Sequence, residues 1–423
     1  MSCESPSWGW RRGRFPANGR IRRNPQQSPR HAHRLGLFKP GGIMTSPLLL
    51  KGFEVELFTG LPSGQNVGVA SDVAAALDDF VTEPDCRNVE YITAPIADYD
   101  QLSEALLQPR RRLRTWLASR DLTLLPGSTL SLGDSSSFER SDPTNPYHSF
   151  IESTYGTRVV TASIHINLGI TDPEWLFAAV RLVRCEAALL LALSASSPFL
   201  DGRFTGHHSQ RWQQFPLTPS EVPLFRDHRH YIEWVEAQLA CKSMRNERHL
   251  WTSVRPNGPA RPHDLNRVEL RICDLVTNPD ELLAMTAFLE LRLLSLRDHR
   301  ERLDPLLASS LSADELATLS DANDAAVAHA SLDAELHHWK DGQSIRCRDW
   351  IQSLIDDVTP LAAQLNLESV LTPLHAVLKD GNQAMRWAAA HSKGVDIPQL
   401  LQNAIEEMKE QELEHPTALL SLG

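Results

Sequence analysis

Carboxylates recur at every second position in the segment Gly52-Phe-Glu-Val-Glu-Leu57, where Glu54 and Glu56 alternate with Phe53, Val55 and Leu57. Successive side chains on a strand point to opposite faces, so a strand here puts both acids on one face and the apolar residues on the other. Three more segments read the same way. Asn88-Val-Glu-Tyr-Ile92 places Asn88 and Glu90 together. Ala162-Ser-Ile-His-Ile-Asn-Leu168 sets Ser163, His165 and Asn167 against Ala162, Ile164, Ile166 and Leu168. Arg267-Val-Glu-Leu-Arg-Ile272 sets Glu269 and Arg271 against Val268, Leu270 and Ile272. Any one of these faces could simply be solvated, as antiparallel sheets allow. The set is different, because solvated faces carry Thr, Lys and mixed charge, and here four acids recur without a lysine. If the strands pair in one sheet, Glu54, Glu56, Glu90 and Glu269 crowd negative charge that repels itself unless cations sit among it. Removing one such charge is then expected to leave the metal-free protein as stable or slightly more so.

Hard oxygen donors with one imidazole suit Mg²⁺ or Mn²⁺ better than zinc. Same-face neighbours are about 6–7 Å apart at Cα, a spacing that holds one ion or bridges two. Such ions commonly bridge nucleotide phosphates. The chain has neither a GxxxxGK[ST] loop nor a GxGxxG turn, so phosphate binding falls to metal and arginine. Arg271, Arg211, Arg255 and Arg261 are candidates, since a guanidinium grips phosphate oxygens in a bidentate fork. For the last three a structural role is an equal alternative. His207-His208 and His228-x-His230 read as polar surface, and Cys273 as a buried inert thiol. Trp339, Trp350 and Trp387 read as core or partner-helix faces.

These side chains need strands to carry them and helices to cover the strands' apolar backs. At 423 residues the chain is long enough for a large core and for two or three domains. The turn signals and periodicities predict strands at 52–58, 87–93, 122–126, 159–170 and 266–273. Helices are expected near 70–80, 100–119, 173–195 and 230–240, with long polar loops across 131–146 and 196–222. After Asn278 the pattern is helical, with caps at Asn278-Pro-Asp-Glu and Ser312-Ala-Asp-Glu. The class is therefore α+β with a helical C-terminal third. The expected organisation is a disordered basic extension over 1–43, a catalytic domain over 44–300 and a helical region over 301–423 packed on it. Residues 1–43 hold eight Arg and one Lys against the single acid Glu4. Such a leader fits either a transit peptide or an upstream start codon, with Met44 just before the first strand.

Net charge is −11, so no general affinity for nucleic acid or anionic membrane is expected. The most apolar stretch, Trp175 to Leu193, contains Arg181, Arg184 and Glu186, so it reads as a buried helix and not as a membrane span. Six scattered cysteines without a CxxC pair point to reduced thiols in a cytoplasm-like compartment.

The same segments carry a family resemblance. GFEVEL (52–57), TEPDCRNVEYITAP (82–95), SIHINLGI (163–170), ALSASSPFLDGRFTGHHSQRW (192–212) and WTSVRPNGPARPHDLNRVELRICDL (251–275) resemble the cyanobacterial-type glutamate–cysteine ligases. SLDAELHHWKDG and CRDWI, within 331–351, extend the likeness, which runs from about residue 48 to about 415. The resemblance implies a glutamine-synthetase-like fold, an antiparallel sheet curved into a polar trough with helices on its other face. It implies ATP and Mg²⁺ (or Mn²⁺) as cofactors. It implies γ-ligation of glutamate to cysteine through an acyl phosphate, the first step of glutathione biosynthesis, with the small molecules glutamate, cysteine and ATP as partners. Carried over by motif, Glu54, Glu56, Glu90, His165 and Glu269 are metal ligands, His165, Asn167 and Arg271 bind nucleotide, and Arg271 and Arg211 contact the reacting groups. No motif marks the amine site, so cysteine as acceptor rests on the resemblance. The alternatives are a ligase for another acid or amine, or an inactive binding protein of the same fold.

Overall fold

The structure is a computed structural model and describes residues 48–414. The basic segment 1–43 lies outside the described residues. Seven strands make one antiparallel sheet: β1 (Lys51–Gly60), β2 (Phe80–Thr82), β3 (Asn88–Ile92), β4 (Thr123–Leu125), β5 (Ile164–Gly169), β6 (Val254–Asn257) and β7 (Arg267–Leu270). Their order is β2-β3-β1-β5-β7-β6, and β4 pairs with the end of β1. Alternation sorts the two faces as the sequence requires. Phe53, Val55, Leu57, Val89, Tyr91, Ile164, Ile166, Leu168, Val268 and Leu270 are each at most 1% exposed and form the core side.

Three helices cover that side: α1 (Tyr99–Ala118), α2 (Pro173–Ser194) and α3 (Pro279–Asp298). α1 packs on β1, α2 packs on β6 and β7, and α3 packs against α1 and α2. In the C-terminal third, α4 (Ala313–Ala330) lies on α2, while α5 (Cys347–Leu365) and α6 (Glu368–Asp380) lie on α3. One hydrophobic cluster runs without a break from the sheet through these helices, and it includes Trp339 and Trp350. The expected caps form. Asn278 accepts from the backbone N–H groups of Asp280 and Glu281, and Ser312 and Glu315 make a reciprocal capping box.

The apolar stretch from Trp175 is indeed a buried helix, and each of its charges is paired. Arg181 forks onto Asp304 at 2.8 and 2.5 Å, Arg184 reaches Asp324 at 2.9 Å and also Asp321, and Glu186 receives Arg292 at 3.1 and 2.6 Å. Buried ions persist only with such partners. No helix among the described residues is long and apolar enough to cross a membrane. Cys86, Cys185, Cys241, Cys273 and Cys347 are all free.

Three expectations change. The strand expected from 159 starts at Ile164, because Gly156–Val159 is a 3₁₀ turn. A helix, Pro146–Tyr155, capped by Asn145, follows the long polar loop. β6 occupies Val254–Asn257, where the sequence pattern predicts no element. It stands at the edge of the sheet, the position that tolerates Pro256.

Candidate active site

Register turns the polar positions into a connected surface. Glu54 lies opposite His165, Glu56 opposite Glu90, and Glu269 between Asn167 and Arg255. At one end of this face, His165 Nδ1 is 2.9 Å from Glu54 Oε2 and 3.8 Å from Glu269 Oε1. Donor atoms of these three residues all lie within 4.8 Å of one another. Asn167 Nδ2 donates to Glu54 Oε1 at 3.2 Å, and Arg267 Nε donates to Asn167 Oδ1 at 3.0 Å. At the other end, Glu56 and Glu90 meet a residue that periodicity did not reveal, Glu83. Ser163 joins the two ends, its Oγ donating to Glu56 Oε2 at 2.7 Å while lying 3.3 Å from His165 Nε2.

The serine hydroxyl donates its one hydrogen to Glu56. The 2.9 Å contact between His165 Nδ1 and the ionised Glu54 needs an Nδ1–H that donates to Oε2. A cation bound at this nitrogen would have to displace that proton.

Charge balance differs between the two ends. Burial and the neighbouring Glu269 push Glu54 up, but His165 and Arg271 outweigh them and hold it below the usual carboxylate range. Burial likewise opposes ionisation of Glu269, yet Arg255, Arg271 and His165 hold it well below that range. Glu83 and Glu90 go the other way. Burial, then the charge of Glu56, pushes Glu83 up to about 8. Burial and the charges of Glu83, Glu54 and Glu56 push Glu90 well up. Glu90 Oε2 and Asn88 Oδ1 are buried with no hydrogen-bond partner. Orphaned acceptors within a carboxylate cluster fit a hard divalent cation, which takes lone pairs and offsets the crowded charge.

This balance sets a pH dependence. The folded chain keeps protons on Glu83 and Glu90 that the unfolded chain releases above about pH 4.3. Metal-free stability therefore falls as pH rises from there through about 8, the Glu83 value. Replacing both residues by Gln should flatten this decline, measured as urea midpoints in chelator between about pH 5 and about pH 8. Equal slopes in the two proteins would show that the carboxyls do not crowd.

The arginines divide by role. Arg271 reaches the face with its side chain 13% exposed and pairs with Glu269. Arg211 is 2% exposed; its Nη1 and Nη2 donate to the carbonyls of Ile272 and Arg271 at 2.9 and 3.0 Å. It thus braces the backbone that carries Arg271. Arg255 is buried in a bidentate pair with Glu269, and Arg261 keeps a buried Nη1 without a partner. The loop histidines go elsewhere: His208 Nδ1 meets Ser331 Oγ, and His228 Nε2 meets the carbonyl of Pro262.

Solved structures share this architecture. Glutamate–cysteine ligase of Francisella tularensis, in complex with AMP, superposes with a TM-score of 0.66 at 13% identity, over 88% of this chain and 91% of that one. A bifunctional glutathione synthetase from Pasteurella multocida gives 0.64 at 16% identity, over 86% of this chain and 53% of that one. At these identities the likeness concerns the fold. A provisionally named glutamate–cysteine ligase 2-1 of Rubrobacter xylanophilus is 24% identical over 361 residues, 83% of this chain and 88% of its own. A similarly named protein of Gloeobacter violaceus is 26% identical over 242 residues, 56% of this chain and 61% of its own length.

A glutamine-synthetase-like sheet with its acids gathered on the open face is the scaffold of a carboxylate–amine ligase, and that is the class of this enzyme. Residues 50–414 match glutamate–cysteine ligase family 2 (GCS2), and the chain belongs to that family.

Proposed function

We propose that this chain uses ATP to join the γ-carboxylate of L-glutamate to the amino group of L-cysteine, giving γ-glutamylcysteine, ADP and phosphate. The observation that carries the reading is the pairing of two carboxylate groups on one face, Glu54–His165–Glu269 and Glu56–Glu83–Glu90, with Arg271 beside them. These residues would hold Mg²⁺ or Mn²⁺, which would supply positive charge against that building on the transferring phosphoryl group. Arg271 would donate to a phosphoryl oxygen, where a guanidinium acts in a site largely screened from water. Asn167 and His165 would orient the nucleotide side, while Arg211 keeps the Arg271 backbone in place. The glutamate γ-carboxylate attacks the γ-phosphorus of ATP, the bond to ADP breaks, and the amine then displaces phosphate from the acyl phosphate. No residue need become covalently attached, so the lack of a nucleophile–base pair is no obstacle.

The test is ADP release over a panel of acids and amines. Release should require both glutamate and cysteine, and ¹⁸O in the γ-carboxylate should appear in phosphate. Release with another pair would reassign the substrates. AMP in place of ADP, or label kept wholly in the peptide, would sink the acyl-phosphate route.

A further inference from the structure

The lone pairs of Glu269 are shared between two sides of the site. From β6, Arg255 Nε donates to Oε2 at 2.8 Å, Arg255 Nη2 to Oε1 at 3.0 Å, and Asn257 Nδ2 to Oε2 at 2.5 Å. Arg255 cannot easily leave, because its Nη1 also donates to the carbonyls of Arg248 and Leu250 at 3.1 and 2.9 Å. From the opposite side Oε1 receives Nη1 of Arg271. That same Nη1 is 3.3 Å from His165 Nδ1, the ring nitrogen that faces Glu54 and Glu269. Arg271 therefore lies within hydrogen-bond reach of two of the three donor atoms that an ion at the triad with Glu54 would use, those of His165 and Glu269.

A divalent ion at this triad and Arg271 in this position compete for Glu269 Oε1 and for the space beside His165 Nδ1, and their charges repel. We propose that Arg271 and a divalent cation exchange on Glu269 and His165. Ion entry displaces the guanidinium, and that displacement frees it for an anionic substrate group, while Arg255 and Asn257 hold Glu269 in place. An anion that draws Arg271 away would then tighten ion binding. The idea rests on the metal-dependent reading above.

The probe is Mn²⁺ alone, titrated into the nucleotide-free full chain and followed through the paramagnetic resonance signal of the free ion. Arg271→Gln should bind Mn²⁺ roughly tenfold more tightly, the order expected for removing a charged hydrogen-bond competitor. Arg267→Gln is the field control. It removes an equal charge from the same strand, where Arg267 donates to Asn167 and acts on Glu269 and Glu54 through its charge, so it measures the general field, and its tightening should be clearly smaller than that of Arg271→Gln. Unchanged or weaker binding in Arg271→Gln overturns the exchange. So does equal tightening in both variants, which would reduce the effect to the general field. If Arg271→Gln does not fold, wild-type crystals soaked in Mn²⁺ decide: Arg271 Nη1 should leave hydrogen-bond reach of Glu269 while Arg255 stays. An ion at the triad with that contact intact overturns the exchange alone. No Mn²⁺ binding, even with ADP present, defeats the metal reading and the exchange together.

Discussion

Glu54→Gln and Glu56→Gln are each expected to lower turnover by at least a few orders of magnitude and to move its Mg²⁺ dependence to higher concentration. Each carboxylate belongs to one of the two acidic groups on the open face, and neither is an ordinary solvated strand residue. Glu54 holds His165 and Asn167, and Glu56 accepts the hydrogen bond of Ser163, which also lies beside His165. A neutral amide keeps the shape and loses the charge that holds a cation against phosphate. Stability should respond differently from activity. Repulsion alone predicts that losing either charge relieves the fold, but Glu54 is held below the usual range by His165 and Arg271. Its ionised form is therefore favoured by folding, and Glu54→Gln should cost a modest ~1 kcal/mol. Asp78→Asn, exposed and off the sheet, is the control and should leave kinetics unchanged. The measurement is steady-state turnover against Mg²⁺ concentration, with urea midpoints alongside. Near-normal turnover and Mg²⁺ dependence in both variants would mean that this face is not the site.

The residues that strand alternation could find are those on strands with an unbroken apolar partner face. Phe53, Val55 and Leu57 expose the period that marks Glu54 and Glu56, and Ile164, Ile166 and Leu168 do the same for His165 and Asn167. Register was out of reach. Nothing local says that Glu56 faces Glu90 or that Glu269 lies between Asn167 and Arg255, because pairing is decided by contacts far apart along the chain. Glu83 was missed for a related reason. It sits between β2 and β3, in a turn held by Ser141 N to the carbonyl of Pro84 at 3.0 Å and by the Asp85–Arg87 pair, and a turn has no period to read. Its signal, a glutamate seven residues before Glu90 in TEPDCRNVE, is only a motif. Arg255 stood out as an arginine, but its pairing with Glu269 and the role of Asn257 were not legible, because Pro256 breaks the strand pattern of an edge strand. Arg211 was found as an arginine worth noticing, and its burial and its carbonyl partners tie it to the backbone of Ile272 and Arg271.

The largest stability effect is expected on the other face of the same strand. Lys51 stands on the core side of β1, two residues before Phe53, and is 1% exposed. Its Nζ pairs with Glu290 of α3 at 2.8 Å, donates to the carbonyl of Ala97 at 2.6 Å and lies 4.1 Å from the Tyr99 ring centre. Glu290, fully buried, also accepts from Tyr99 Oη–H at 2.7 Å and from the backbone N–H of Leu49. Burial already pushes Lys51 down, and the Glu290 charge is the largest opposing influence. Glu290→Ala removes it and strands an ammonium, a phenol hydroxyl and a backbone N–H in the core. The expected cost is about 3–5 kcal/mol, the range for breaking a buried pair from one side. Replacing both charges, Lys51→Met with Glu290→Leu, should recover much of that loss, since the stranded ion is gone and only packing and the Tyr99 and Leu49 donors remain unmet. Urea midpoints of the wild type, Lys51→Met, Glu290→Leu and the double variant form the cycle that checks this, with Glu290→Ala measured beside them. If Glu290→Ala costs under about 1 kcal/mol, the pair is not desolvated as described, and the sheet is anchored to α3 by apolar contact alone.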